Sequence, residues 1–207
     1  TNATGTATIS GAGQSVGTLS NAGTVNFSAN TGTVTVTTLS GAGSTSFGNN
    51  ATITNGISDG TVNVTGALNS AISGGTVTAA SLGQTSSANI SGGTTTVSGL
   101  AAINTMSAGT ANLNGASASI STYNGGNVAL GTNTALTLDQ GTSSGIISGA
   151  TGSITKNSAN TLTLSGNNSF AGGTSISGGT VNAGHNNALG TGGVTVTAGN
   201  LYVTSGA

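Results

Sequence analysis

An eight-residue phrase recurs along the chain and decides the fold. It stands as Ile57-Ser-Asp-Gly-Thr-Val-Asn-Val64 and returns, with substitutions, from residues 72, 90, 106, 123 and 176. The glycines at its fourth position in the first five copies are 15, 18, 16 and 17 residues apart, and four others fit the same frame: Gly60, Gly75, Gly93, Gly109 and Gly126, then Gly23, Gly43, Gly179 and Gly199. Self-similarity at a nearly fixed short period indicates a repeat architecture.

Each phrase combines a turn with a short strand. The glycine is predicted to supply the positive φ that the turn needs. After it, residues alternate with a period of two, which is typical of a strand with one buried face. The predicted inward set is Val62, Val64, Val77, Ala79, Thr95, Val97, Ala111, Leu113, Val128 and Leu130. The predicted outward set is Thr61, Asn63, Thr76, Thr78, Thr94, Thr96, Thr110 and Asn112.

These units predict an all-β fold, a right-handed parallel β-helix (β-solenoid) with rungs of about 15–20 residues. A propeller blade needs roughly 40 residues or more, so the repeat is too short for one. At about 4.8 Å per rung, the chain predicts some 11 or 12 rungs and a rod roughly 50–60 Å long. Because small residues dominate the predicted inward set, we expect a narrow bore.

The composition excludes several classes of function. The 207 residues include one Lys or Arg, two Asp or Glu, one His, no Pro and no Cys. A nucleic-acid partner needs several basic residues, and a Cys-based metal site needs thiols. No stretch approaches the roughly 18 apolar residues of a membrane span, and the start does not resemble a signal peptide. We therefore expect no nucleic acid and no direct membrane insertion of this segment.

The few titratable residues do not predict an active site. Asp59 and Asp139 are 80 residues apart, which corresponds to about 20 Å along a solenoid, whereas glycosidase carboxylates are roughly 5–9.5 Å apart. Both stand in sequences typical of turns. Lys156 is interpreted as a solvated residue that discourages sheet association, and His185 as a turn residue without fellow metal ligands. The prediction is no catalytic residue, no metal and no cofactor.

The C-terminal third resembles the autotransporter-associated β-strand repeat of bacterial surface proteins. The matching positions are Lys156, Leu162, Leu164, Gly166, Asn167, Asn168, Phe170, Gly172, Gly173 and Thr174. Residues 157–160 depart from the glycines of that family, and Phe170 replaces its commoner Tyr. The resemblance implies a right-handed parallel β-helix exported to the outer face of a Gram-negative-type cell. We expect one domain over residues 1–207, with the best match over 154–190.

Two kinds of function remain open. The first is a non-enzymatic structural protein at the cell surface, a stalk or a self-stacking filament subunit, with surface glycans as candidate ligands of an adhesive role. Its partners would be further copies of the chain, stacked end to end, or adjacent repeats of a longer protein, because uncapped solenoid ends expose unpaired backbone groups. The alternative is ice binding, since the Thr/Asn column resembles the Thr-x-Thr arrays of solenoid antifreeze proteins.

Overall fold

The computed structural model describes residues 2–3, 5–83 and 88–204, and all of its regular elements there are β-strands, stacked in about 11 turns. The strands are β1 (Asn2–Ala3), β2 (Thr6–Thr8), β3 (Ser15–Asn21), β4 (Thr24–Phe27), β5 (Val34–Ser40), β6 (Ser44–Phe47), β7 (Ala51–Ile57), β8 (Thr61–Ile72), β9 (Thr76–Leu82), β10 (Ala88–Ile90), β11 (Thr94–Val97), β12 (Ala101–Met106), β13 (Thr110–Leu113), β14 (Ser117–Tyr123), β15 (Asn127–Leu130), β16 (Ala135–Ser143), β17 (Ile147–Ser148), β18 (Ser153–Lys156), β19 (Thr161–Leu164), β20 (Thr174–Ile176), β21 (Thr180–Ala183), β22 (Val194–Val196) and β23 (Asn200–Val203).

The strands pair in parallel with the corresponding strands of the next turn, so the chain is a β-solenoid with three faces. Face A contains β2, β4, β6, the starts of β8 and β9, β11, β13, β15 and β17. Face B contains the first halves of β3, β5 and β7, the later parts of β8 and β9, the first halves of β12, β14 and β16, and then β18, β20 and β22. Face C contains the second halves of β3, β5 and β7, the last residue of β8, β10, the second halves of β12, β14 and β16, and then β19, β21 and β23.

The alternation predicted on face A is confirmed. Every member of the predicted inward set is buried, and none of the outward set is. The first five register glycines have φ between 67° and 84°, as the turn chemistry requires. Gly43 is an exception, because its φ is not in the left-handed region. A Cβ there would lie 2.4 Å from the Gly23 carbonyl oxygen, so close packing of the rungs is what requires glycine.

The bore contains larger side chains than the face A pattern predicts. The first residues of the five phrases from 57 to 123 belong to a continuous inward column on face C, which begins with Leu19 and Leu39 and goes on through Ile57, Ile72, Ile90, Met106 and Tyr123. Among the first rungs of face A, Phe27 stacks on Phe47 with ring centroids 5.1 Å apart and planes inclined by 6°. The expectation of small inward residues therefore holds only for part of face A.

The last copy of the phrase lies on a different corner of the solenoid from the earlier copies. In the earlier copies the leading Ile is on face C and the strand after the glycine is on face A, as with Ile57 and Val62. In the copy that starts at Ile176, the leading Ile pairs with Lys156 on face B, and Val181 pairs with Leu162 on face C. The phrase thus encodes a corner and its flanking strands, not one particular face.

Candidate functional site

Two straight columns of small polar residues cover the outside of face A. Eight rungs are in register in each column. The first column is Thr6, Thr24, Ser44, Thr61, Thr76, Thr94, Thr110 and Asn127. The second is Thr8, Asn26, Ser46, Asn63, Thr78, Thr96, Asn112 and Ala129. The columns are therefore longer than the outward set from Thr61 to Asn112 that the sequence predicts.

The two carboxylates lie far apart, in different settings. Asp59 is exposed in the corner between faces C and A. Asp139 is five rungs further on, counted through the register of face C from Ile57, which is about 24 Å along the axis. Asp139 was expected in a turn, and that expectation is wrong: it lies inside β16, on the segment that bends from face B to face C. The register with β14 skips Asp139, between Leu138 and Gln140, so the bend occurs at Asp139 itself.

Lys156 is buried, which corrects the expectation of a solvated edge residue. Its side chain is fully inaccessible, in the inward column next to Ile176. The Nζ atom donates hydrogen bonds to the carbonyl oxygen of Ser158 at 2.5 Å and to the Ser158 Oγ at 2.6 Å. The Lys156 side chain starts in the interior, and its long aliphatic part is enough for the ammonium group to reach the polar corner at Ser158. Burial lowers the pKa of Lys156, and the nearby Asp139 carboxylate opposes that shift.

The corner that binds Lys156 also binds Asp139. The Asn160 side-chain amide donates to Asp139 Oδ1 at 2.8 Å, and the Ser158 hydroxyl donates to the Asp139 main-chain oxygen at 3.2 Å. Hydrogen bonding by Ser158 and Asn160, aided by the Lys156 charge, lowers the pKa of Asp139. One of the chain's two acidic residues and its one Lys thus share a single network. The sequence did not reveal this pairing because it depends on the stacking of two turns.

The Asn-rich turn of the C-terminal repeat connects three rungs. Asn168 is buried; its Oδ1 accepts from the Ile147 main-chain N–H at 2.7 Å, and its Nδ2 donates to the Ala188 carbonyl at 2.6 Å. Phe170 is fully buried two residues later. Thr174 is also buried, and its hydroxyl donates to the Leu189 carbonyl at 2.9 Å. These motif residues therefore have structural partners within the wall.

Residues 154–183, which contain this motif, match a known family. They match the passenger-associated-transport-repeat. The matched segment begins in β18 and ends with β21, so it comprises one full turn and the two strands stacked on its beginning. The match confirms the resemblance to autotransporter passenger repeats that the sequence motif suggested. No curated protein and no solved structure gives a significant match to the chain.

Around the passenger-associated repeat the surface is polar. A shallow groove of about 240 Å³ crosses face B over its last three rungs; it is lined by Ser153, Ile154, Thr155, Gly172, Gly173, Thr174, Ser175, Gly193 and Thr195. None of these side chains titrates.

His185 lies in the turn that follows the repeat, where its Nδ1 accepts from the Asn187 N–H at 3.0 Å. Within the described ranges, no group of three or more His, Asp or Glu side chains could hold a metal ion.

The last rung after the passenger-associated repeat exposes its apolar side. Val194, Val196 and Val203 point inward by register, yet they are 43%, 45% and 67% exposed. Their counterparts one rung earlier are buried. The difference arises because no further rung among the described residues covers β22 and β23. In the part of the chain that the structure describes, no helix has the length and apolar character needed to cross a bilayer.

Proposed function

We propose that the chain is a non-enzymatic structural segment of an exported surface protein, acting as a stiff stalk that spaces or coats cells. The passenger-associated repeat and the solenoid fold support a surface passenger of the autotransporter type. The observation that carries the structural role is the parallel ladder, which continues from β1 to β23 around one apolar core. Asp59 and His185 lie apart from the Asp139–Lys156 network. This separation supports the non-enzymatic part of the proposal, because hydrolytic sites bring several titratable groups together in one cleft.

Surface labelling tests this proposal. Antibodies raised against the purified chain would be applied to intact and to permeabilised cells that produce the parent protein. The expected result is equal labelling of both samples, together with loss of the signal after protease treatment of intact cells. A cytoplasmic protein, labelled only after permeabilisation, is the control. Labelling of the chain only in permeabilised cells would contradict an exposed stalk.

The exposed last rung is where this stalk would be extended. We infer that a second copy of the chain stacks its first rung on β22 and β23, because parallel rungs pair through free backbone groups and an apolar interior. The first rung is also incompletely covered, since Ala7 and Val16 are only partly buried. A net charge of −1 offers little repulsion. Head-to-tail contacts of this kind are heterologous and produce open filaments.

A matched pair of substitutions on one strand tests the stacking. Val196 points inward at the exposed rung, and its neighbour Thr195 points outward. The expected result in sedimentation is that the purified chain forms fibres, that V196D remains monomeric, and that T195D still forms fibres. A wild-type chain that stays monomeric at high concentration, or a T195D chain that loses assembly as completely as V196D, would contradict end-to-end stacking.

Ice binding is the second candidate, and the two in-register columns of face A favour it. Thr residues two positions apart on one strand are about 6.6 Å apart, and the rungs repeat every 4.8 Å or so. The two columns therefore form a two-dimensional array in which 11 of the 16 positions carry a hydroxyl group. A bulky T96Y substitution in the array should abolish thermal hysteresis, whereas T163Y on face C should not. Absence of hysteresis in the wild-type chain would reject this candidate and leave the stalk proposal unaffected.

A further inference from the structure

Asp59 and Gly60 are placed for a reaction within the backbone. Gly60 N donates a hydrogen bond to Asp59 Oδ1 at 2.7 Å, and Asp59 is exposed in its corner. Because a carbon–oxygen bond is only about 1.2 Å long, the nitrogen is no more than about 4 Å from the carboxyl carbon of Asp59. Attacking and attacked atoms held close together react faster than freely moving ones. The next residue, a glycine, has no side chain to obstruct the approach.

We propose that Asp59 is a site of spontaneous isomerisation to isoaspartate, a modification independent of the proposed function. The Gly60 nitrogen forms a bond to the Asp59 side-chain carbonyl carbon. The carboxyl loses its OH and the nitrogen loses its proton, so one water leaves and a cyclic imide forms. Water then opens the imide at either carbonyl. Opening at the main-chain carbonyl gives isoaspartate, with the chain routed through Cβ and Cγ and with no net change in mass.

Asp139 provides an internal comparison. It lies within β16, and its carboxylate accepts the hydrogen bond from Asn160. The residue after it is Gln140, not glycine. The residues on both sides of it, Leu138 and Gln140, pair with β14, and the carboxylate is already bound by a side chain of the next turn. We expect Asp139 to remain unmodified under conditions in which Asp59 isomerises.

The modification would disturb the stack because corners are packed closely at this point. A Cβ placed on Gly75 would lie 2.6 Å from the Gly60 oxygen and 2.9 Å from the Asp59 carbonyl carbon. The Gly60 carbonyl also accepts from Thr76 N at 2.8 Å. Isoaspartate adds one atom to the main chain just before Gly60. The Thr76–Gly60 hydrogen bond and the close packing of Gly75 against Asp59 and Gly60 then cannot both be kept. Isomerisation should therefore weaken the joint between the two rungs.

The composition of the chain makes the test simple. The chain contains two acidic residues, both Asp. An endoproteinase that cuts before Asp but not before isoaspartate yields fragments 1–58, 59–138 and 139–207 from the denatured chain. After incubation of the folded protein for weeks at 37 °C, isomerisation of Asp59 gives fragment 1–138, and isomerisation of Asp139 gives fragment 59–207. Deamidated asparagines would create additional cleavage sites and are recognised by the masses of their fragments.

The expected result is that fragment 1–138 accumulates at least about ten times faster than fragment 59–207. On ageing, the melting temperature of the wild-type protein should also fall further than that of D59G incubated in parallel; glycine is the chain's own residue at the equivalent position 74. Equal accumulation of the two fragments would overturn the proposal. So would a rate for folded Asp59 more than about ten times below its rate in urea, because the corner would then protect the bond.

Discussion

Asn167 and Asn168 are adjacent in the chain but lie on opposite sides of the solenoid wall. Asn167 is exposed, and its Oδ1 accepts from the side chain of Asn187 on the next rung. Asn168 is 1% exposed and bonds to the main chain of the rungs on both sides. The two residues have the same chemistry, so substituting each of them isolates the effect of burial.

Replacing Asn168 by Ala should destabilise the C-terminal rungs strongly. The Ile147 N–H and the Ala188 carbonyl would lose their partner inside the wall, and a buried unpaired group costs about 1–3 kcal/mol. N167A should change the free energy of unfolding by no more than about 0.5 kcal/mol, as is usual for a surface position. Urea unfolding of both variants measures the difference. Equal losses would mean that Asn168 does not connect the rungs.

Thr95 offers a stabilising substitution. It lies in the inward column between Val77 and Ala111, and its buried hydroxyl has no hydrogen-bond partner within the described residues. T95V replaces this hydroxyl by a methyl group of similar shape, so the free energy of unfolding should rise by about 1 kcal/mol. T94V, one residue earlier on the outward side, should have little effect. A destabilised T95V chain would indicate an interior water or another partner for the hydroxyl.

How far the sequence predicts this protein depends on the face. On face A the strict alternation from Thr61 to Leu130 sufficed to predict strands, register glycines and buried residues. On face C each phrase contributes one residue to the inward column, such as Ile72 or Met106. A single residue shows no alternation, so the sequence pattern did not mark it as buried. The shift of the phrase to another corner at Ile176 also left no local signal, because a corner has the same sequence wherever it lies.

The polar network of the C-terminal rungs was not predictable from residue type alone. A Lys is seldom fully buried, so Lys156 was assigned to the solvent, and Asp-Gln-Gly around Asp139 has the composition of a turn. The burial of Lys156 and its connection to Asp139 follow from stacking of residues about 20 positions apart, through Ser158 and Asn160. The match to the passenger-associated repeat identified the segment, but only the geometry assigns a role to its Lys.

Asp139 should make the fold sensitive to acid. Its pKa is lowered in the folded chain, so the folded state binds this proton less tightly than the unfolded state does. The resulting stabilisation is present above the unfolded pKa of about 3.8 and is lost as the pH falls through the folded value. The melting temperature should therefore drop below about pH 4 in the wild type and drop less in D139N, which can still accept from Asn160. Identical pH profiles would contradict this role.

Lys156 should contribute through both its stem and its charge. K156A would leave a cavity beside Ile176 and remove the donor to the Ser158 carbonyl and hydroxyl, so we expect a loss of about 2–5 kcal/mol, as for other large buried side chains. K156M keeps most of the volume and avoids the cost of burying an ammonium group, so its loss should be much smaller. Urea unfolding at pH 7 measures both variants. A solvated Lys would give two nearly neutral substitutions, within about 0.5 kcal/mol of the wild type. That outcome would contradict the buried position, whereas equal large losses in both variants would assign the stabilisation to the hydrogen bonds at the Ser158 corner.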